Sequence, residues 1–263
     1  MTAHMRVALL VGPRGEGLER FLERTRRTRW YTCVGAVVTT PESTAIPILH
    51  RLGVPWQCHD IHTFYRAAGR PLRDLHWRRA YDHHTWMRVL KWSPTHIVLF
   101  RYIYIVTPVL LERFPMRILN VHDSDLTVRD ARGMPRYVGL HATLDAIVDG
   151  VRATHSTVHF VTETVDCGPA IAISPPYPVH RALLRAAQTD DRRDILRAYA
   201  YAHREWMIRD GWGRLLHRVL CWLATGRVRV RNGRVWIDHR PAPIRFHRRP
   251  RTVSIPHSWS ERQ

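Results

Sequence analysis

Residues 6–18 read Arg6-Val7-Ala8-Leu9-Leu10-Val11-Gly12-Pro13-Arg14-Gly15-Glu16-Gly17-Leu18. A short apolar run closed by glycine is the pattern of a strand buried on both faces, as in a parallel sheet. The glycines form a turn, and a helical pattern runs from Leu18 to about Arg27. Strand signals recur at 33–39, 95–101, 117–121 and 155–161. Helical stretches lie at about 42–52, 72–92, 107–113, 139–150 and 190–224. The long second stretch stops at Ser93-Pro94, because the residue before proline disfavours helix. Strands alternating with helices predict an α/β fold with a mostly parallel central sheet and helices on both faces. Within 227–238, Asn232-Gly233 between alternating runs predicts a hairpin. No internal repeat occurs.

The chain has 263 residues, 45% of them hydrophobic, which supports a packed core and excludes wholesale disorder. No apolar run approaches the roughly 20 residues of a membrane span. Met1 to Arg6 carries no apolar leader, and Cys33, Cys58, Cys167 and Cys221 lie far apart. A reducing cytoplasm without a disulfide scaffold is expected. Forty-one Lys and Arg against 22 Asp and Glu give a net charge of +19. That charge suggests a nucleic acid or an acidic membrane. Lysine occurs once and asparagine twice, however, so a GC-rich genome accounts for part of the arginine content. A nucleic-acid partner is therefore not favoured. The density of Arg and Pro over 240–251 divides the chain into a catalytic domain at 1–242 and a basic tail at 243–263.

Asn120 and His122 stand two apart at the end of an apolar strand, so both point to one face. Carboxyl ends of parallel strands are where ligands bind in open α/β sheets. An amide donor beside an imidazole suits a developing oxyanion and a moving proton. The blander reading is a polar pair that satisfies loop backbone. A later strand leads into Thr162-Glu163-Thr164-Val165-Asp166-Cys167-Gly168-Pro169. Asp166 near His122 would favour the protonated imidazole and accept a proton. The turn at Arg14, Gly15 and Gly17 matches neither a P-loop nor a dinucleotide fingerprint, although such turns bind phosphate. Arg14 would attract a phosphate there and Glu16 would repel it. With 18 histidines, clusters such as Cys58 to His62 and His83-His84 arise by chance, and no metal is expected. Cys167 is read as a packing residue.

Asn120-Val-His122 with Ser124, then Arg136-Tyr-Val-Gly-Leu-His-Ala142, then the segment from Ser156 to Pro169, resembles the folate-dependent formyltransferases. Among these it looks most like the glycinamide ribonucleotide formyltransferases of purine biosynthesis. Weaker echoes extend over about 6–242. The resemblance implies a Rossmann-like formyltransferase fold, 10-formyltetrahydrofolate as co-substrate and a small amine as acceptor. It implies that Asn120 donates to the formyl oxygen, that His122 donates a proton or stabilises charge, and that Asp166 assists proton transfer. Folate contacts fall to Arg78, to Ile103, Tyr104, Ile105 and Val106, and to Asn120, Thr162, Glu163, Thr164 and Val165. Arg14, Gly15 and Gly17 fall at the acceptor.

Departures accompany it. Asp123 replaces the family's proline, Tyr104 its arginine, Gly15-Glu16-Gly17 its Gly-Ser-Asn turn, and Ala202 its helix glutamate. About eight residues are inserted near 127–135. Another amine, such as an amino-sugar nucleotide, is an alternative acceptor, and water would make a formyltetrahydrofolate hydrolase. An RNA- or nucleotide-binding protein with a decayed site is the alternative of another class. Oligomeric state is not legible in the sequence.

Overall fold

The computed structural model describes residues 4–181 and 193–247. Its first half alternates β1 (Met5–Val11), α1 (Leu18–Arg26), β2 (Tyr31–Val38), α2 (Ile46–Arg51), β3 (Trp56–Cys58), α3 (Ile61–Ala67), α4 (Leu75–Leu90), β4 (His96–Phe100), α5 (Pro108–Leu111) and β5 (Ile118–His122). Then come α6 (Ala142–Val148), β6 (Ala153–Thr154), β7 (Thr157–Phe160), β8 (Ala170–Ile173), β9 (Tyr177–Pro178), α7 (Arg193–Met207) and α8 (Gly213–Ala224). Four short strands end the described chain: β10 (Val228–Arg231), β11 (Arg234–Ile237), β12 (Arg240–Pro241) and β13 (Ile244–Arg245).

The main sheet has eight strands in the order β13-β8-β7-β5-β4-β1-β2-β3. From β3 to β5 every pairing is parallel, whereas β7 runs antiparallel to both β5 and β8. The expected, mostly parallel sheet is therefore present. Alternation along β1 builds both layers of the core. Val7, Leu9 and Val11 pack with Phe21 and Leu22 of α1 and with Leu216 and Leu220 of α8. Ala8 and Leu10 pack on the other face with Val89 of α4 and Leu110 of α5.

Helices α7 and α8 are joined end to end by a π-helical turn, Ile208–Trp212. Both central residues of the β10–β11 turn have positive φ, 50° at Asn232 and 71° at Gly233, as the sequence required. The short β3 and α3 were not anticipated, and β8 was missed because Gly168-Pro169 masks its start. The boundary expected at 242/243 falls inside paired structure. Ile244 and Arg245 pair in parallel with Ala172 and Ile173, and Phe246 stacks on Trp222. The rest of the tail, 248–263, lies outside the described residues.

Candidate active site

The β5–β7 ladder sets the site. Asn120 lies directly opposite His159, and His122 opposite Thr157. Asn120, His122 and His159 therefore share one face of the sheet. The loop after β7 starts beside Ile118, where Val161 N–H donates to its carbonyl, and folds back over β5. Asp166 is thereby brought against both histidines, its Oδ2 lying 3.3 Å from His122 Nδ1 and its Oδ1 3.7 Å from His159 Nε2. Asp166 sits at φ 55°, a conformation that aspartate tolerates better than most residues. Gly168 makes the turn feasible, because a Cβ there would lie 1.8 Å from the Phe160 carbonyl oxygen.

Hydrogen bonds locate the protons. His122 Nε2 is 2.9 Å from the Tyr137 carbonyl oxygen, which only accepts, so Nε2 carries a hydrogen. Ser124 Oγ donates to the same carbonyl at 2.7 Å. His122 Nδ1 faces the Asp166 carboxylate, which also accepts the Gly139 N–H at 2.8 Å. His159 Nδ1 donates to the Phe160 carbonyl at 2.9 Å. Its Nε2 is left to accept from Asn120 Nδ2 at 3.2 Å. Burial holds His159 far below the usual histidine range, so the ring stays neutral and can play this accepting role.

These groups open into a cavity of about 310 Å³. Asn120, His122 and Asp166, the three expected catalytic residues, all line it. So do Ile103, Tyr104, Ile105 and Val106 on one side and Thr162, Glu163 and Val165 on the other. Exposed apolar side chains at Ile103, Ile105, Leu140 and Val165 give it greasy lips. Thr164 does not line the cavity; its carbonyl accepts from Thr162 Oγ1 and Cys167 N–H, holding the loop. Arg78 is also outside it, only 2% exposed behind Tyr104, with its guanidinium carbon about 5 Å from the rings of Tyr65, Tyr81 and Tyr104. Arg14, Gly15 and Gly17 stand apart from the lining, in the β1–α1 turn.

Asp123, which replaces the family's proline, is buried and paired. Its carboxylate accepts from Arg204 Nε at 2.5 Å and from Trp212 Nε1 at 2.9 Å. Four participants were not read from the sequence: His159, the Tyr137 carbonyl, the Gly139 N–H and Arg101. The alternation in Thr157-Val158-His159 marks His159 as facing with Asn120 only once the ladder register is known. The two backbone groups leave no trace in residue type. Among the described residues, no group of three or more His, Cys, Asp or Glu is placed to hold a metal ion. His59 stacks on Tyr81 at 4.0 Å, and burial with the neighbouring Asp166 pushes the Cys167 thiol up. No helix among the described residues is long and apolar enough to cross a membrane.

The geometry agrees with comparisons to known proteins. The formyl transferase family matches residues 5–210. Phosphoribosylglycinamide formyltransferase of Escherichia coli (strain K12) is 24% identical over 241 residues, 91% of this chain and 96% of that protein. Formyltetrahydrofolate deformylase of Bacillus subtilis (strain 168) is 28% identical over 167 residues, 62% of this chain and 49% of that protein. A crystal structure of glycinamide ribonucleotide transformylase 1 from Symbiobacterium toebii superposes with a TM-score of 0.67 at 26% identity, covering 89% of this chain and 94% of that one. With its sheet order, its polar cluster and a family match over most of its length, the chain belongs to the formyl transferase family and is a folate-dependent formyltransferase.

Proposed function

We propose that this chain transfers the formyl group of 10-formyltetrahydrofolate to a primary amine, with Asn120, His122 and Asp166 as its catalytic residues. The observation that carries the reading is their convergence at one end of a cavity whose other walls are the 103–106 segment and the 162–165 loop. Those walls fit a folate. Residues 103–106 offer backbone groups at the cavity edge, and Ile103, Ile105 and Val165 offer apolar contacts for a flat ring. Arg78 supports the Tyr104 ring from behind in this reading.

The co-substrate supplies the formyl carbon on a nitrogen that must leave with a proton. As the amine adds to that carbon, negative charge builds on the formyl oxygen. The Asn120 N–H not given to His159 donates to that oxygen, and protonated His122 stabilises it. His122 Nδ1 lies 3.3 Å from Asp166 Oδ2 without being aligned on it, so the same nitrogen can address a third group in the cavity. Asp166 takes the proton released by the amine, directly or through water. A proton from the His122–Asp166 pair then goes to the departing folate nitrogen. A fixed neutral His159 keeps the Asn120 amide oriented throughout.

An amine is favoured over water as acceptor because the E. coli transferase matches 91% of this chain and the B. subtilis deformylase 62% of it. The four free, separated cysteines fit a cytoplasmic reaction. The catalytic unit is taken to extend through Arg245, since β13 completes the sheet edge. The test is a panel of primary amines offered with 10-formyltetrahydrofolate, with tetrahydrofolate release and the mass of the formylated amine both followed. Release at the same rate without any amine would assign the hydrolase instead.

A further inference from the structure

The β1–α1 turn is where a βα unit would cradle a phosphate, using free backbone N–H groups at a helix start. In this chain three of those donors are already engaged. Gly15 N–H donates to Thr44 Oγ1 at 2.8 Å, and Leu18 N–H donates to the Gly15 carbonyl at 3.0 Å. The carboxylate of Glu16 accepts its own backbone N–H. An anion thus occupies the turn already, and it is part of the protein.

The same carboxylate is held from two sides. Arg14 donates to its Oε1 through Nε at 3.2 Å and Nη2 at 3.0 Å. Arg101, at the end of β4, places Nε 3.5 Å from its Oε2. Arg101 is buried, has φ 51°, and sends Nη1 to Glu205 of α7 at 2.9 Å. Burial pushes the Glu16 carboxyl up, but its own N–H and the two arginines outweigh this and hold it below the usual carboxylate range. Glu16 is therefore charged at neutral pH. The remaining cation on this side of the cavity, Arg204, is committed to Asp123. Arg209 is mostly exposed and reaches only to 3.8 Å from Glu205. Four arginines, Arg14, Arg101, Arg204 and Arg209, share the three carboxylates of Glu16, Asp123 and Glu205, and the buried one among them, Arg101, is held by two of these carboxylates.

We infer that Glu16, clamped by Arg14 and Arg101, is an acceptor-specificity residue that closes the turn to phosphate, so that the acceptor is a primary amine carrying no phosphate there. This rests on the amine-transfer reading above. A phosphate brought to the turn meets the Glu16 carboxylate, only 13% exposed, and finds both flanking guanidinium groups already engaged by it.

Two readouts separate this inference from the reading on which it rests. The first compares kcat/KM for glycinamide ribonucleotide and for its dephosphorylated ribonucleoside in wild type, Glu16→Ser and Glu16→Gln. The isosteric glutamine variant guards against a folding defect in the serine one. Wild type is expected to favour the dephosphorylated amine by about tenfold or more. Both variants are expected to move that ratio toward the ribonucleotide by about tenfold, through KM. The second readout is calorimetric titration with ribose 5-phosphate, which involves no chemistry. Binding is expected in Glu16→Ser and absent from wild type. A wild type that prefers the ribonucleotide, with a ratio that the variants leave in place, overturns the inference. So does ribose 5-phosphate binding that is equal in wild type and variants, or absent from both. Tetrahydrofolate release that no amine accelerates sinks the amine-transfer reading instead, while the titration still decides the role of the turn.

Discussion

His159 Nε2 lies 3.2 Å from Asn120 Nδ2, straight across the β5–β7 ladder. The contact fixes both groups. His159 spends its only hydrogen on the Phe160 carbonyl, so it can only accept from the amide, and the amide cannot flip without losing that bond. Removing this positioning residue with His159→Leu should lower kcat by about tenfold with a smaller change in KM for the folate. His159→Gln, whose carbonyl can accept from Asn120, should recover part of the loss. Equal kcat in His159→Leu and wild type would show that Asn120 is held by other means.

Loss of the acid–base pair itself should cost more. His122→Ala and Asp166→Asn are each expected to reduce turnover by about a hundredfold or more, the scale of a general acid or oxyanion donor. Circular dichroism should show the fold retained. The double variant should lose little beyond the worse single one, because the two side chains act as one acid–base unit. Additive losses would mean that they act separately.

Gly168→Ala should act at a distance on the same pair. Its Cβ would meet the Phe160 carbonyl oxygen at 1.8 Å, so the loop must shift and carry Asp166 away from His122. Activity should fall along with stability, by about 3 kcal/mol in urea unfolding. A stable, active Gly168→Ala enzyme would mean that the loop has another conformation with the same contacts.

Stability should fall as the solution is acidified from pH 6.5 toward 4. Burial lowers His59 to about 3 and His96 to about 4, with nearby arginines adding to the effect. Above 6.5 these rings are neutral in both states and contribute no slope. Below it the unfolded chain binds protons that the native chain refuses, so the native state loses ground until its own histidines titrate. Asp82 works in the opposite sense, since burial raises it to about 6 and the native state takes that proton before the unfolded one does. His96→Gln should therefore flatten the acid loss and Asp82→Asn should steepen it, as read from urea midpoints across the pH series.

A chain cut after residue 242 should be less stable by about 2–4 kcal/mol. It loses the β13 pairing, the Phe246–Trp222 stack and the Arg245–Asp125 ion pair at 2.7 Å. A chain ending at 247 keeps all three and should retain full turnover. Equal stability of the two truncations would make β13 dispensable.

Much of the sheet was legible because its strands are continuous apolar runs. β1, β2, β4 and β5 are buried on both faces, so neither register nor partner needed to be known to find them. β13 was illegible for the opposite reason. Its two residues lie among Arg and Pro, and only the free edge of β8 makes a strand of them. At the site, Asn120, His122 and Asp166 were found as residue types at a familiar spacing. Arg101 was not, because an arginine after an apolar strand reads as a solvent-facing end, and its burial depends on carboxylates 85 residues upstream and 104 downstream. Charge compensation of that kind is a property of three elements together and of none alone.

The π-helical turn between α7 and α8 has a further consequence. One residue of an ordinary α-helix advances the side-chain direction by about 100°, and a π turn slips in an extra residue without ending the rod. The two segments are therefore out of phase. Upstream of the slip, Arg204 and Glu205 look toward the cavity end of the sheet; downstream, Leu215, Leu216, Val219 and Leu220 seat in the core, with Trp212 at the junction reaching Asp123. Shortening this turn by one residue would wind the rod back into register and swing the leucine stripe off the core, or else drag Arg204 and Glu205 away from their carboxylate and guanidinium partners. The spare residue is a phase adjuster, and it lets one continuous helix serve the core and the reaction chamber at once.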